Sequence, residues 1–303
     1  MPIIEVSHLT KDYGHGRGVF DVSLKVEKGV CYGFLGPNGA GKTTTIRHLM
    51  GFSKPQSGTT SILGQDSWKY AAELKNSVGY LPGEIAFPRA LTGTQFLQMQ
   101  MKMRGVTDDS YLKKLLERFD LNPAMNVEDM SLGVRRKLAV VTAFMHDPDI
   151  LILDEPTSGL DPIMQQTFIE FVLSEKKRGK TILLSSHIFH EVDACCDRIS
   201  IIKNGQIVAD FVADELKNRN TKIYRITFAD KKSYETFVSK DYQFHSKNEK
   251  KLRARVMIET QNINGLLADI TPLNVTEFQE ISFTLEDYFM EFYKNDRQFE
   301  EVQ

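Results

Sequence analysis

What the sequence has little of narrows the choices first. Three cysteines in 303 residues, Cys31, Cys195 and Cys196, are too few and too poorly spaced for a disulfide framework or a zinc site. They are expected to be reduced and structural, as in a cytosolic protein. No surplus of positive charge is present: 38 Lys and Arg face 40 Asp and Glu, a net charge of −2. No global basic field therefore recruits nucleic acid or anionic lipid, and no nucleic-acid partner is expected. No apolar run approaches the roughly 20 residues that cross a bilayer, and the opening MPIIEVSHLT lacks a basic region followed by an apolar stretch. If the protein works at a membrane, another chain must anchor it. Internal repeats and low-complexity tracts are missing too.

What is there is a globular composition, 41% hydrophobic and 26% charged, in a chain long enough for about two domains. The apolar run Val30 to Leu35 leads into Gly36-Pro37-Asn38-Gly39-Ala40-Gly41-Lys42-Thr43-Thr44 and then into the helical Thr45 to Met50. Strand, glycine turn and helix start form a phosphate cradle. The glycines let successive N–H groups point inward, Lys42 supplies a point charge to the β- and γ-phosphates, and the Thr43 hydroxyl is placed to ligate Mg²⁺. The positive end of the following helix adds to the same anion site.

Upstream, Ile3 to Leu9 and Val19 to Val26 alternate as strands of a partly solvated antiparallel sheet. Tyr13, in the turn between them, could stack on an adenine or be an ordinary turn tyrosine. Downstream come strands Thr59 to Leu63 and Ser77 to Leu81, then the irregular Pro82-Gly83-Glu84-Ile85-Ala86-Phe87-Pro88. From Thr92 the spacing turns helical, with Phe96, Met99 and Met103 and then Leu112, Leu115, Leu116 and Phe119, so a helical insertion is expected over about 85–145. Its methionines are expected to fill its core. Ser131 reads as the N-cap of a helix running through Leu138, Val141, Phe144 and Met145.

Ile150 to Leu153 carries four apolar residues without alternation, so it reads as a strand buried on both faces in a parallel sheet. It ends in Asp154-Glu155, and acids at the carboxyl end of such a strand face the ligand crevice. After Ser158-Gly159-Leu160-Asp161-Pro162 come a helix to Lys177 and a buried strand, Thr181 to Ser185, ending at Ser186-His187. Asn204-Gly205 joins two strands of a hairpin, Arg198 to Lys203 and Gln206 to Phe211. Beyond the polar segment Asp214 to Lys222 the pattern restarts as β-α-β-β-α-β, a split ferredoxin-like order. A last helix, Thr284 to Tyr293, carries Leu285, Tyr288, Phe289 and Phe292 on one stripe, placed to cover its own sheet or to pair two subunits. No catalytic constellation lies after about residue 215.

Over residues 2 to 215 these motifs resemble an ATP-binding-cassette (ABC) ATPase, of the kind that serves bacterial exporters of drugs or antimicrobial peptides. The resemblance implies an α/β P-loop NTPase cassette: a mostly parallel core sheet flanked by helices, an antiparallel N-terminal sheet and the helical insertion. The expected domains are 1–215 for nucleotide binding and 216–303 as a small α+β ferredoxin-like accessory or regulatory module. Gly36 to Thr44 matches Walker A and Ile150 to Asp154 matches Walker B. By resemblance, Asp154 orients the Mg²⁺ shell, Glu155 polarises the attacking water, His187 contacts the γ-phosphate, Tyr13 stacks on adenine, and Ser158 to Asp161 communicates across a dimer. The signature, usually Leu-Ser-Gly-Gly-Gln, is here Met130-Ser131-Leu132-Gly133-Val134; Ser131 and Gly133 are kept, one glycine and the glutamine are not. Gly83 stands where the family usually has a glutamine, and Glu84 is one residue out of register to replace it.

The resemblance further implies ATP and Mg²⁺ as cofactors and a head-to-tail dimer with a second copy or a homologous ATPase subunit. A separate transmembrane permease would dock near Gly83 to Met103, placing the protein on the cytoplasmic face of the membrane and powering export of a drug, peptide or lipid-like molecule. Two other readings stay open at this point. One is a soluble cassette ATPase acting on ribosomes or DNA, although such proteins usually carry two cassettes or long coiled coils. The other is an ATP-gated sensor without productive turnover, motivated by the two departures from the family pattern.

Overall fold

The computed structural model describes residues 2–217, 221–281, 284–290 and 292. Two compact units divide the chain, Met1–Ala213 and Asp214–Gln303. The first contains strands β1 (Ile4–Asp12), β2 (Gly18–Val26), β3 (Cys31–Leu35), β4 (Ser57–Ile62), β5 (Gln65–Asp66), β6 (Val78–Leu81), β7 (Ile150–Asp154), β8 (Thr181–Ser186), β9 (Arg198–Lys203) and β10 (Gln206–Val212). Its helices are α1 (Lys42–Leu49), α2 (Ala71–Ser77), α3 (Gly93–Met103), α4 (Ser110–Arg118), α5 (Leu132–Phe144), α6 (Pro162–Lys177) and α7 (Phe189–Cys195).

Two sheets organise this unit. The smaller, ordered β2-β1-β4-β5, is antiparallel throughout and alternates buried with exposed residues along β2. The larger runs β10-β9-β3-β8-β7-β6 and is parallel except for β10, the return strand of the Asn204-Gly205 hairpin. Every residue of β3, β7 and β8 is buried. Unalternated apolar strands sit where a sheet is covered on both faces, and each buried Leu or Ile there contributes about 1.5–3 kcal/mol.

Register is what builds the site. Leu35 pairs with Ser186, and Asp154 pairs with Ser185, so the carboxyl ends of β3, β8 and β7 stop at one level. Whatever follows those three ends must meet in the crevice above the sheet.

The helical segment shows one correction. In α3, Phe96 and Leu97 are buried, with Phe87 packed edge-on against Phe96 at 4.9 Å. Met99 is only half-buried, and Met103 is 73% exposed. The stripe turned inward is Gly93, Phe96 and Leu97, which puts the methionines on the flank instead of in the core. All three cysteines are buried free thiols.

Helix α8 (Ala213–Lys217) takes up the start of the polar segment Asp214 to Lys222. The second unit continues with β11 (Thr221–Phe228), α9 (Lys231–Val238), β12 (Gln243–Asn248), β13 (Arg253–Glu259), α10 (Ile263–Ile270) and β14 (Val275–Ile281). The strands form an antiparallel sheet ordered β12-β13-β11-β14, the topology of a split β-α-β-β-α-β unit. Its core gathers Ile226, Phe228, Phe237, Val256 and Leu266. Residues 285–290 are helical, with Leu285 and Phe289 buried; Tyr293 of the expected last helix lies outside the described residues. Among the described residues no helix is long and apolar enough to cross a membrane.

Candidate functional site

The turn after β3 is held open by its own backbone. Gly41 adopts φ 111°, a torsion that a side chain resists, and it stands against Val19 and Ile202 with no room for a Cβ. At Gly36 a Cβ would lie 2.5 Å from the Ile202 carbonyl oxygen. Gly36 N–H donates to Ser186 O (3.2 Å), and Gly205 N–H donates to Ala40 O (2.9 Å), so the turn is tied to β8 and to the Asn204-Gly205 hairpin. Helix α1 then begins at Lys42, leaving its first-turn N–H groups free for an anion.

Lys42 is 5% exposed. Its Nζ donates to Gly36 O (2.5 Å) and Pro37 O (3.1 Å) and lies 3.0 Å from Glu155 Oε1. The other Glu155 oxygen, Oε2, is 2.5 Å from His187 Nδ1. One carboxylate thus bridges the lysine that follows β3 and the histidine that follows β8. Glu155 sits at φ 49°, a left-handed torsion that costs a non-glycine residue about 1 kcal/mol, and its N–H donates to Ser185 O at 3.0 Å. That bond fixes the strained turn and aims the side chain across the strand ends.

Asp154, immediately before, is completely buried. Ser185 donates to its Oδ1, and Thr43 lies near enough to favour the charged carboxylate. Burial nonetheless pushes the Asp154 carboxyl upward, with Ser185, Thr43 and Lys42 opposing. Its Oδ2 is buried and lacks a hydrogen bond of normal geometry. A Cβ at Gly83 would lie 3.1 Å from that same oxygen. A cleft of about 520 Å³ joins Asn38, Thr43, Glu84, Glu155 and His187 to Arg47, Phe52, Tyr80 and Ser158.

Other motif residues stand elsewhere. Tyr13 is 56% exposed, with Lys11 Nζ 5.5 Å from its ring centre, and it does not line the cleft. Ser131 caps α5, its Oγ accepting from Val134 N–H at 3.3 Å, and Asp161 caps α6, its Oδ1 accepting from Met164 N–H at 3.0 Å. Gly133 packs beside the Gly159 carbonyl, and Leu132, in the place of the family's first signature glycine, lies against Gly159 and is 59% exposed. Like Tyr13, Ser131, Leu132, Gly133 and Asp161 do not line the cleft.

Sequence reasoning passed over Glu191, Ser185 and Arg136. Glu191, 1% exposed on α7, accepts from Ser186 Oγ (2.6 Å) and Thr157 Oγ1 (3.3 Å); burial pushes its carboxyl up to about 7. Arg136 was one of three consecutive cations. Stepping back four from the buried Val140 and Phe144 marks the position as inward.

Residues 19–158 match the family described as ABC transporter. Over 246 residues, 80% of each chain, the protein is 35% identical to the bacitracin transport ATP-binding protein BcrA of Bacillus licheniformis. It is 32% identical to its namesake in Enterococcus faecalis over 95% of each chain. With the linearmycin resistance ATP-binding protein LnrL of Bacillus subtilis it shares 35% identity, covering 72% of this chain and 71% of that one. A solved ATP-binding subunit of an ABC transporter superimposes with a TM-score of 0.66 at 30% identity, over 71% of this chain and 92% of that one. A cradle ending in Lys42, two acids level with it on a buried parallel strand, and likeness along nearly the whole chain lead to one conclusion: the chain belongs to the ATP-binding subunits of the ABC transporter family.

Proposed function

We propose that this chain hydrolyses ATP as one of two cassettes that close head to tail, and that the closure drives a separate membrane-spanning subunit in exporting a drug, peptide or lipid-like molecule. The observation that carries the reading is the contact chain Lys42–Glu155–His187, drawn from three adjacent strand ends. The relatives named for bacitracin transport and linearmycin resistance support the export class. In this reading the first unit is the ATPase domain, the second an accessory or regulatory module, and the protein is held peripherally on the cytoplasmic face by its permease.

The donor set fits Mg²⁺. Hard cations take oxygen ligands, and here a hydroxyl, Thr43, stands beside a buried carboxylate with one unengaged oxygen, Asp154 Oδ2. Thr43 and Asp154 would hold the ion, which when bound neutralises charge on the β- and γ-phosphates. Gly83 offers no side chain to that shell, and the nearby Glu84 lines the cleft.

The chain's own groups supply the rest. N–H groups of Gly39 to Thr44 receive the phosphate oxygens. Lys42 exchanges its Glu155 partner for the γ-phosphate, which frees Glu155 to accept a hydrogen bond from water and hold it in line with the phosphorus. Attack forms the new O–P bond as the bond from phosphorus to the β–γ bridging oxygen breaks, ADP leaving with that electron pair and the water giving up its proton to the Glu155 carboxylate. His187, released from Glu155, steadies the γ-phosphate. Tyr13 stacks on the adenine, while Ser131 and Gly133, with Asp161 behind them, complete the site of the second copy; the exposure of Ser131 and Leu132 supports such a reach. The test is Glu155→Gln. It should retain ATP binding, elute at twice the monomer mass with ATP, and turn over at least about a hundredfold more slowly. Wild-type turnover by that variant would remove Glu155 from the chemistry.

A further inference from the structure

Arg136 lies one turn beyond Ser131 in α5 and is 3% exposed. All five of its donors belong to one rigid plane, and three nitrogens of that plane are engaged. Nε donates to Ser158 O (2.9 Å), Nη1 to Pro82 O (3.0 Å) and Nη2 to Gly83 O (2.7 Å). Every acceptor is a main-chain carbonyl. Burial lowers its hold on its proton, with Asp154, Glu155 and Glu191 opposing from a distance.

A buried cation is expensive to keep, and an apolar side chain would fill the space with less penalty. What the guanidinium adds is a connection. Pro82 and Gly83 form the loop after β6, Ser158 opens the loop that leads to the Asp161 cap, and Arg136 itself belongs to the helix capped by Ser131. Gly83 has no side chain with which to enter the cleft, so the loop faces Asp154 with main chain alone.

We infer that Arg136 is a positioning residue that binds the Ser131 helix, the Gly83 loop and the Ser158 loop into one moving part, so that nucleotide bound at the Lys42 turn is sensed at Gly83 through carbonyls. The inference rests on the ATPase reading above. A lysine cannot substitute, because one ammonium nitrogen cannot serve acceptors set against different edges of the guanidinium plane.

The experiment uses the full chain as wild type, R136M and R136K, with a non-hydrolysable ATP analogue as the probe and amide hydrogen exchange as the first readout. In wild type the analogue should slow exchange in residues 36–44, 82–84 and 158–160. In R136M and R136K it should slow exchange in 36–44 as before, with less than about a twofold response in the two loops. Steady-state turnover is the second readout: kcat should fall about tenfold or more in both variants, with KM for ATP within about threefold of wild type. The inference is overturned if R136M keeps wild-type kcat, if the loops of either variant still respond, or if wild-type loops do not respond. It is also overturned if kcat, KM and the response in 36–44 are lost together, as a merely structural role requires. Should R136M fail to fold, R136K decides by the same criteria. A wild-type chain that binds the analogue but never hydrolyses ATP refutes the hydrolysis reading while leaving the exchange comparison decisive for Arg136; one that binds no nucleotide refutes both.

Discussion

Glu191 provides a quantitative test of how the strand-end polar groups are held. Its carboxyl titrates near 4.5 when exposed and at about 7 in the fold, chiefly because burial disfavours the charge, with the Ser186 and Thr157 hydroxyls opposing. The folded state therefore binds this proton more tightly than the unfolded state, by about 3 kcal/mol. Below pH 4.5 the group is protonated in both states and its contribution is fully present. As pH rises the contribution declines, and above about 7 it is lost, because the fold then holds a buried charge. Glu191→Gln keeps an acceptor oxygen for Ser186 and Thr157 but has no proton to lose. Relative to wild type, the glutamine variant should gain about 2.5 kcal/mol between pH 5 and pH 8, since part of the unfolded-state ionisation is already complete at pH 5, on the order of 5–10 °C in the melting of a unit this size. Thermal unfolding of both proteins at both pH values measures it, and other titrating groups cancel in the double difference. An equal gap between the two proteins at pH 5 and pH 8 would refute the reasoning.

Lys42→Ala removes a cation that also holds Gly36 O and Pro37 O, so ATP affinity should fall by about 1.5–3 kcal/mol, roughly 10- to 150-fold, in a fluorescent-nucleotide titration; unchanged affinity would take Lys42 out of the phosphate site. Gly33→Ala places a Cβ 2.6 Å from Val192 Cγ1 and 3.0 Å from Cys196 Sγ, so urea unfolding should show a loss of about 1–3 kcal/mol. Ser131→Ala loses the cap of α5, about 1 kcal/mol of stability, and should weaken ATP-driven dimerisation by sedimentation well beyond what that loss explains. Dimerisation equal to wild type would confine Ser131 to capping.

How much was legible follows from the physical signal each element carries. The buried strands Cys31–Leu35, Ile150–Asp154 and Thr181–Ser186 announce themselves, because a strand covered on both faces needs apolar residues at every position. The Asn204-Gly205 turn was equally plain. Helices Ala71–Ser77 and Phe189–Cys195 were not. The first buries only Leu74, too little for a period, and the second buries Glu191 beside Val192, so a carboxylate interrupts the apolar stripe that would have marked it. Met103 misled in the opposite sense, recurring at helical spacing on a flank that faces outward. Within the site, Gly36 to Thr44 and Asp154-Glu155 could be read because they are contiguous. The Arg136–Gly83 contact could not, since it arises only after segments 53 residues apart are brought together, and the local Ser186–Glu191 bond could not because the short helix that turns Glu191 inward carries no apolar period.

The pairing of Leu35 with Ser186 and of Asp154 with Ser185 has an evolutionary corollary. Ladder spacing comes in whole steps of about 3.3 Å, and sliding β8 by a single step would carry His187 away from Glu155 and turn every β8 side chain to the opposite face. Side chains between the layers can therefore drift, exchanging one aliphatic for another, while the reacting groups stay aligned. Divergent descendants of such a chain would be free to repaint the interior, but not to shift a strand by one notch.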